Sequence, residues 1–90
     1  MMADKEKVSR LLKTARGQID GVLRMVDKDK YCIDIANQLA AAEAILRKTQ
    51  REIMRAHLDG CVRAAFKAGD EQRLNAQIEE ILSVLDTLGK

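Results

Sequence analysis

The amino-acid sequence predicts an all-α fold, three helices in a single domain over residues 1–90, and three observations carry that expectation. The 90 residues contain no proline and only five glycines, while 47% of the side chains are apolar. Apolar residues recur at steps of three and four in three successive segments, the spacing of one helix face. Polar or glycine-containing breaks separate those segments, at 27–30 and at 68–70.

The first segment carries Val8, Leu11, Leu12, Ala15, Ile19, Val22, Leu23 and Val26 on its apolar face, with Arg10, Lys13, Arg16 and Arg24 outward. Gly17 and Gly21 interrupt it, each costing ~1 kcal/mol relative to alanine. One turn apart, they either admit a neighbouring backbone or are simply tolerated. Asp27-Lys28-Asp29-Lys30 then supplies a turn, and Asp29 is the expected N-cap of the next helix.

From Tyr31 to Lys67 there is no proline and one glycine, Gly60. This stretch predicts a helix of about 37 residues, roughly 55 Å long, more than a small monomer needs. Ala68-Gly69-Asp70 ends it, with Gly69 closing the helix and Asp70 capping the one that follows. The third segment places Leu74, Ile78, Ile81, Leu82, Leu85 and Leu88 at helical spacing and stops at Gly89.

A chain this short buries a limited fraction of its surface, and its two aromatic residues, Tyr31 and Phe66, cannot anchor a large core. Oligomerisation is the natural completion. Ala40, Ala41, Ala42 and Ala44 lie near the middle of the long helix, where small residues let two copies cross closely. The expected architecture is a dimer whose first two helices pair with those of a second chain as an antiparallel four-helix bundle.

The chemistry-bearing residues fit that arrangement. The chain has two cysteines and one histidine: Cys32, His57 and Cys61. His57 and Cys61 are four apart and share a helix face. Cys32 stands 25 positions before His57, roughly 37 Å along a straight helix at ~1.5 Å per residue. One chain cannot close a site on all three, but two antiparallel copies can. At ~100° per residue the three still fall within one stripe, the stripe that a partner helix covers.

Two thiolates and one imidazole make a soft, trigonal donor set that suits Cu(I), with Zn(II) the competing ion. Structural zinc takes four ligands and catalytic zinc three with a water. Two other readings stand beside metal binding. The thiols can act as sensors of oxidants or reactive sulfur, or the three residues can simply pack. A small zinc enzyme is disfavoured because no general base or substrate pocket is legible.

Net charge is +2, but its distribution is uneven. Residues 1–30 balance at +3, residues 31–67 at +2 and residues 68–90 at −3. Arg10, Lys13, Arg16 and Arg24 on the first helix, with Arg47, Lys48, Arg51 and Arg55 on the second, can line one face of a symmetric oligomer; such a surface attracts phosphates, and an ordinary solvated face is the plain alternative. No helix-turn-helix, zinc-finger or basic-zipper pattern is present, so double-stranded DNA would meet a broad helical face. No apolar run approaches the roughly 20 residues of a membrane span, and the first residues form no apolar signal core. The expected setting is therefore the cytoplasm, away from the membrane, with both thiols reduced.

Three stretches resemble the CsoR/RcnR family of metal-sensing transcriptional repressors. They are Lys13-Thr14-Ala15-Arg16-Gly17-Gln18-Ile19-Asp20-Gly21, Tyr31-Cys32-Ile33-Asp34 and His57-Leu58-Asp59-Gly60-Cys61-Val62. The resemblance runs from about residue 8 to 88, and the Cys…His-x3-Cys spacing is that of the copper-sensing branch. It implies an all-helical dimer that pairs into a flat homotetramer. It also implies an operator-binding repressor of efflux genes that releases DNA when Cu(I) binds. By the same resemblance, Cys32 of one chain and His57 and Cys61 of another are the Cu(I) ligands. Tyr31 and a glutamate on the third helix, Glu80 or its neighbour Glu79, support His57 from behind. Leu11 stands where many members carry arginine, whereas Lys48 fills a position that is usually basic. The nickel and cobalt branch uses further histidines, absent here. The persulfide branch keeps both cysteines and usually lacks the histidine, so His57 favours copper over sulfur sensing.

Overall fold

The computed structural model describes residues 1–88, and every ordered element in it is helical. Helix α1 spans Lys5–Asp27, α2 spans Cys32–His57, a π-helical turn spans Leu58–Val62, α3 spans Arg63–Lys67 and α4 spans Glu71–Leu88. His57, Val62 and Arg63 all keep right-handed helical dihedrals. Thus α2, the π turn and α3 follow one another without a break in helical backbone from Cys32 to Lys67, the long helix expected from sequence. With it, α1 and α4 make the three expected helices. Gly89, the expected end of the last helix, lies outside the described residues.

The helix ends follow from local chemistry. The Asp4 carboxylate accepts hydrogen bonds from the Glu6 and Lys7 amides at 2.9 and 3.4 Å, capping α1. Asp29 does not cap α2. It ends α1 in the left-handed region, φ 50°, which Asp tolerates better than most residues. The amides of Asp29 and Lys30 return to the carbonyls of Val26 and Met25, both at 3.0 Å, so the orphan carbonyls of the last turn are satisfied. The cap position of α2 falls instead to Tyr31, whose carbonyl accepts from the Ile35 amide at 3.2 Å. A capping side chain must sit directly before the first turn, and Asp29 is two residues too early.

The second break matches the sequence expectation. Gly69 adopts φ 69°, and the Gly69 and Asp70 amides bond back to Phe66 at 3.1 Å and Ala65 at 3.3 Å. This is the left-handed closure that glycine alone adopts without steric cost. The Asp70 carboxylate then accepts the Arg73 amide at 3.0 Å and starts α4.

The chain forms two compact units. One, Asp4–Gln50, holds α1 and the first part of α2. Its buried side chains are Val8, Ala15 and Val22 on α1 and Ala42 and Thr49 on α2, each set spaced by seven residues. That is the repeat of helices packed side by side. The one polar member, Thr49, returns its hydroxyl to the Ile45 carbonyl at 2.8 Å. The other unit joins Met1–Ala3 to the chain from Arg51 onward. In it α4 packs against the π turn and α3, around buried Ala65.

A second apolar stripe in the first unit is left open. Leu12, Ile19, Leu23 and Val26 on α1 and Leu39 and Leu46 on α2 are all exposed. Ala42 is spent on the chain's own core, while Ala40 and Ala44 face outward. Nothing approaches Gly17, and only the Arg24 guanidinium comes near Gly21, so within the unit neither glycine serves a close backbone approach.

Candidate metal centre and basic surface

The two cysteines are free thiols, Cys32 exposed and Cys61 half-buried. Cys32 opens α2 and His57 closes it, and Cys61 follows on the π turn. Cys32 with Tyr31 belongs to the unit Asp4–Gln50, whereas His57 and Cys61 belong to the other. Among the described residues, no three His, Cys, Asp or Glu side chains gather as a metal site within the chain.

The π turn departs from the plain α-helix that the spacing suggests. Such turns carry i→i+5 hydrogen bonds and are enriched at functional sites. Arg63 reaches back to Asp59, Nε to the main-chain carbonyl at 3.3 Å and Nη2 to Oδ1 at 2.8 Å. Gly60 lies against Met2: a Cβ there would overlap the Met2 methyl and stand 3.4 Å from its Cγ and 3.5 Å from its Sδ.

His57 and Glu80 line one cavity, of about 270 Å³, with Ile53, Met54 and Val84. Both residues lie in the same unit, and Glu79 is not among the lining residues. Sequence reasoning misses the methionines that also line it, Met1, Met2 and Met54. Met54 carries a local signal, since it precedes His57 by three residues on one helix face. Met2 carries none, because only tertiary folding brings it near.

The basic residues are all exposed: Arg10, Lys13 and Arg16 on α1, Arg47, Lys48 and Arg51 on α2. Arg10 and Lys13 line a shallow groove with Lys5, Glu6 and Ser9. Arg47 meets Glu43 at 3.6 Å, an open surface pair worth little. Arg55 is different. It donates to Glu52 at 2.8 Å, and that hydrogen bond with the carboxylate charge raises its pKa further above the ordinary arginine value. Arg55 is thereby committed within its own helix. No helix among the described residues is long and apolar enough to cross a membrane.

Comparison with known proteins places the chain. A family profile described as "Metal-sensitive transcriptional repressor" matches residues 4–87. The copper-sensing transcriptional repressor CsoR of Mycobacterium ulcerans (strain Agy99) is 36% identical over 85 residues, covering 93% of this chain and 70% of that protein. The copper-sensing transcriptional repressor CsoR of Bacillus subtilis (strain 168) is 32% identical over 87 residues, covering 97% and 83%. Among solved structures, the copper-sensing repressor CsoR with Cu(I) from Geobacillus thermodenitrificans NG80-2 superposes with a TM-score of 0.84 at 30% identity. That superposition covers 100% of this chain and 94% of the other. Profile, relatives and fold agree over nearly the whole length, so the chain belongs to the CsoR/RcnR family of metal-sensitive transcriptional repressors and is a regulator rather than an enzyme.

Proposed function

We propose that the protein is a Cu(I)-responsive repressor working as a dimer or tetramer on operator DNA in the cytoplasm. In this reading the metal-free form holds the operator, and Cu(I) binding releases it and derepresses copper efflux genes. The observation that carries the reading is the donor inventory on this fold. The two thiols are free and the lone imidazole ends α2, in a chain whose relatives sense copper. Two thiolates with one imidazole are soft ligands that fit Cu(I) better than Zn(II) or Ni(II).

Cys32 of one protomer and His57 and Cys61 of its partner would hold the ion. Helix length supports this division, because about 25 residues at ~1.5 Å per residue separate Cys32 from His57 along one helix. The exposed stripe of Leu12, Ile19, Leu23, Leu39 and Leu46 supplies the apolar surface that a partner would cover. Glu80, in the cavity with His57, and Tyr31, exposed beside Cys32, would orient the imidazole through hydrogen bonds and couple its occupancy to the helices. Arg10, Lys13, Arg16, Arg47, Lys48 and Arg51 would meet the phosphates.

Anaerobic Cu(I) titration of the reduced protein, read by X-ray absorption and by operator binding, tests the proposal. The expected result is one Cu(I) per chain with two sulfurs and one nitrogen, and loss of operator affinity on saturation. A nitrogen- and oxygen-rich site, or retention of DNA at full loading, would refute it. A second reading, reactive-sulfur sensing by Cys32 and Cys61, is favoured by the exposure of the Cys32 thiol. Mass spectrometry after polysulfide treatment separates the two. A Cys32–Cys61 crosslink between chains that releases the operator, without any Cu(I) effect, would select sulfur.

A further inference from the structure

The chain has four methionines, and three of them line the cavity that holds its only histidine. Met1, Met2 and Met54 share it with His57, between the apolar walls of Ile53 and Val84. All belong to the unit made of Met1–Ala3 and the chain from Arg51 onward. Ala3 is buried and fixes the short leading segment. Gly60 admits that segment, since any side chain there would run into Met2. Glycine inside a helical rod costs ~1 kcal/mol relative to alanine, and the approach of Met2 offsets that cost with packing.

Methionine also fills irregular gaps as a flexible hydrophobe, so packing is the competing account. The donor chemistry points further. Thioether sulfur is neutral, needs no deprotonation, and binds soft monovalent ions, while hard divalent ions keep their water. The imidazole adds a nitrogen donor, and the Glu80 carboxylate on the same cavity offsets positive charge. Apolar walls penalise a hydrated divalent ion more than a weakly hydrated monovalent one.

We propose that Met2, Met54 and His57, with Met1 on the same cavity, form an alternative soft-cation site that takes Cu(I) or Ag(I) through thioether sulfur and imidazole nitrogen when the cysteines do not hold His57, so that a chain still carries one ion. It takes from the proposed function only the choice of Cu(I) as the ion, and it stands whether or not the site between chains exists.

The test uses the full chain with Cys32→Ala and Cys61→Ala, labelled with 13C at the methionine methyls and titrated anaerobically with Cu(I) and separately with Ag(I). The Met2 and Met54 methyl resonances should shift and saturate near one ion per chain, Met25 should stay still, and Zn(II) should move none of them. Adding Met2→Leu and Met54→Leu, which keeps side-chain volume, should weaken binding by about tenfold or more. Unmoved methionine methyls under Ag(I), or unchanged affinity after the leucine substitutions, would overturn the proposal and leave the methionines as packing alone. Far-UV helicity checks the fold, and Cys32→Ser with Cys61→Ser replaces the alanine pair if that pair unfolds. Failure of the two-sulfur, one-nitrogen signature in the wild type strikes the proposed function, whereas this titration strikes only the thioether site.

Discussion

Truncating Leu39 and Leu46 to alanine should separate the protomers. These residues lie seven apart on α2, and in the single chain Leu39 is 44% exposed and Leu46 40%. Fully burying a leucine stabilises by ~1.5–3 kcal/mol, so the two-fifths still open on each is worth roughly 0.6–1.2 kcal/mol to a partner. A two-fold dimer repeats both positions, which brings the total for the four leucines to roughly 2.4–4.8 kcal/mol. That corresponds to about two to three orders of magnitude in the dimer dissociation constant. Sedimentation equilibrium over a range of protein concentrations reads the constant directly. Circular dichroism at the same concentrations keeps loss of association apart from loss of helix, since the buried part of each leucine also supports its own chain. A double variant that associates within about threefold of the wild type would refute the assignment of this stripe to a protomer interface.

Other outcomes follow from the proposed site and surface. Cys32→Ala and Cys61→Ala homodimers, mixed and allowed to exchange, should regain tight Cu(I) binding at half the wild-type stoichiometry, because each heterodimer has one intact and one doubly broken site; no recovery despite proven exchange would exclude a site shared between antiparallel chains. Charge reversal at Arg16, Arg47, Lys48 and Arg51 should weaken operator binding and flatten the plot of log K against log salt by ~0.9 for each phosphate no longer neutralised; unchanged binding would remove these residues from the DNA surface. His57→Ala should still bind Cu(I) through two thiolates yet lose the coupling to DNA, typically ~1–3 kcal/mol. Operator affinity with and without saturating Cu(I) measures that coupling, and a wild-type response in the variant would place the signal in the cysteines.

The helices are legible in the sequence because their signals are local. Apolar spacing marks α1, the long helix from Cys32 to Lys67 and α4, and Gly69 with Asp70 marks the second break to the residue. Asp29 departs from its expected role for a physical reason. An aspartate before a helix can accept amides as an N-cap or enter the left-handed region as the end of the previous helix. Only the register of the following turn decides between them, and α2 begins at Cys32. The Met2 approach to Gly60 is illegible for another reason, because it joins the first residues to the sixtieth and leaves no local pattern. The proposed ligand triad is visible as spacing, but spacing fixes only what a straight helix allows. Which chains meet along the open leucine stripe depends on surfaces that a single sequence does not pair.

The π turn explains why the His57–Cys61 spacing is informative even though the helix there is not regular. In an α-helix of 3.6 residues per turn, a step of four overshoots one turn slightly. In a wider i→i+5 turn the same step falls slightly short. Cys61 therefore stays on the same side of the helix as His57 in either geometry, displaced one way or the other by a fraction of a residue. A spacing of three would hold the two together only in the narrower turn, and a spacing of five only in the wider one. Four is the separation that survives a local change of helix type. A motif written as His-x3-Cys can thus ride on a turn that Arg63 braces through Asp59, without losing the shared face that the proposed site requires.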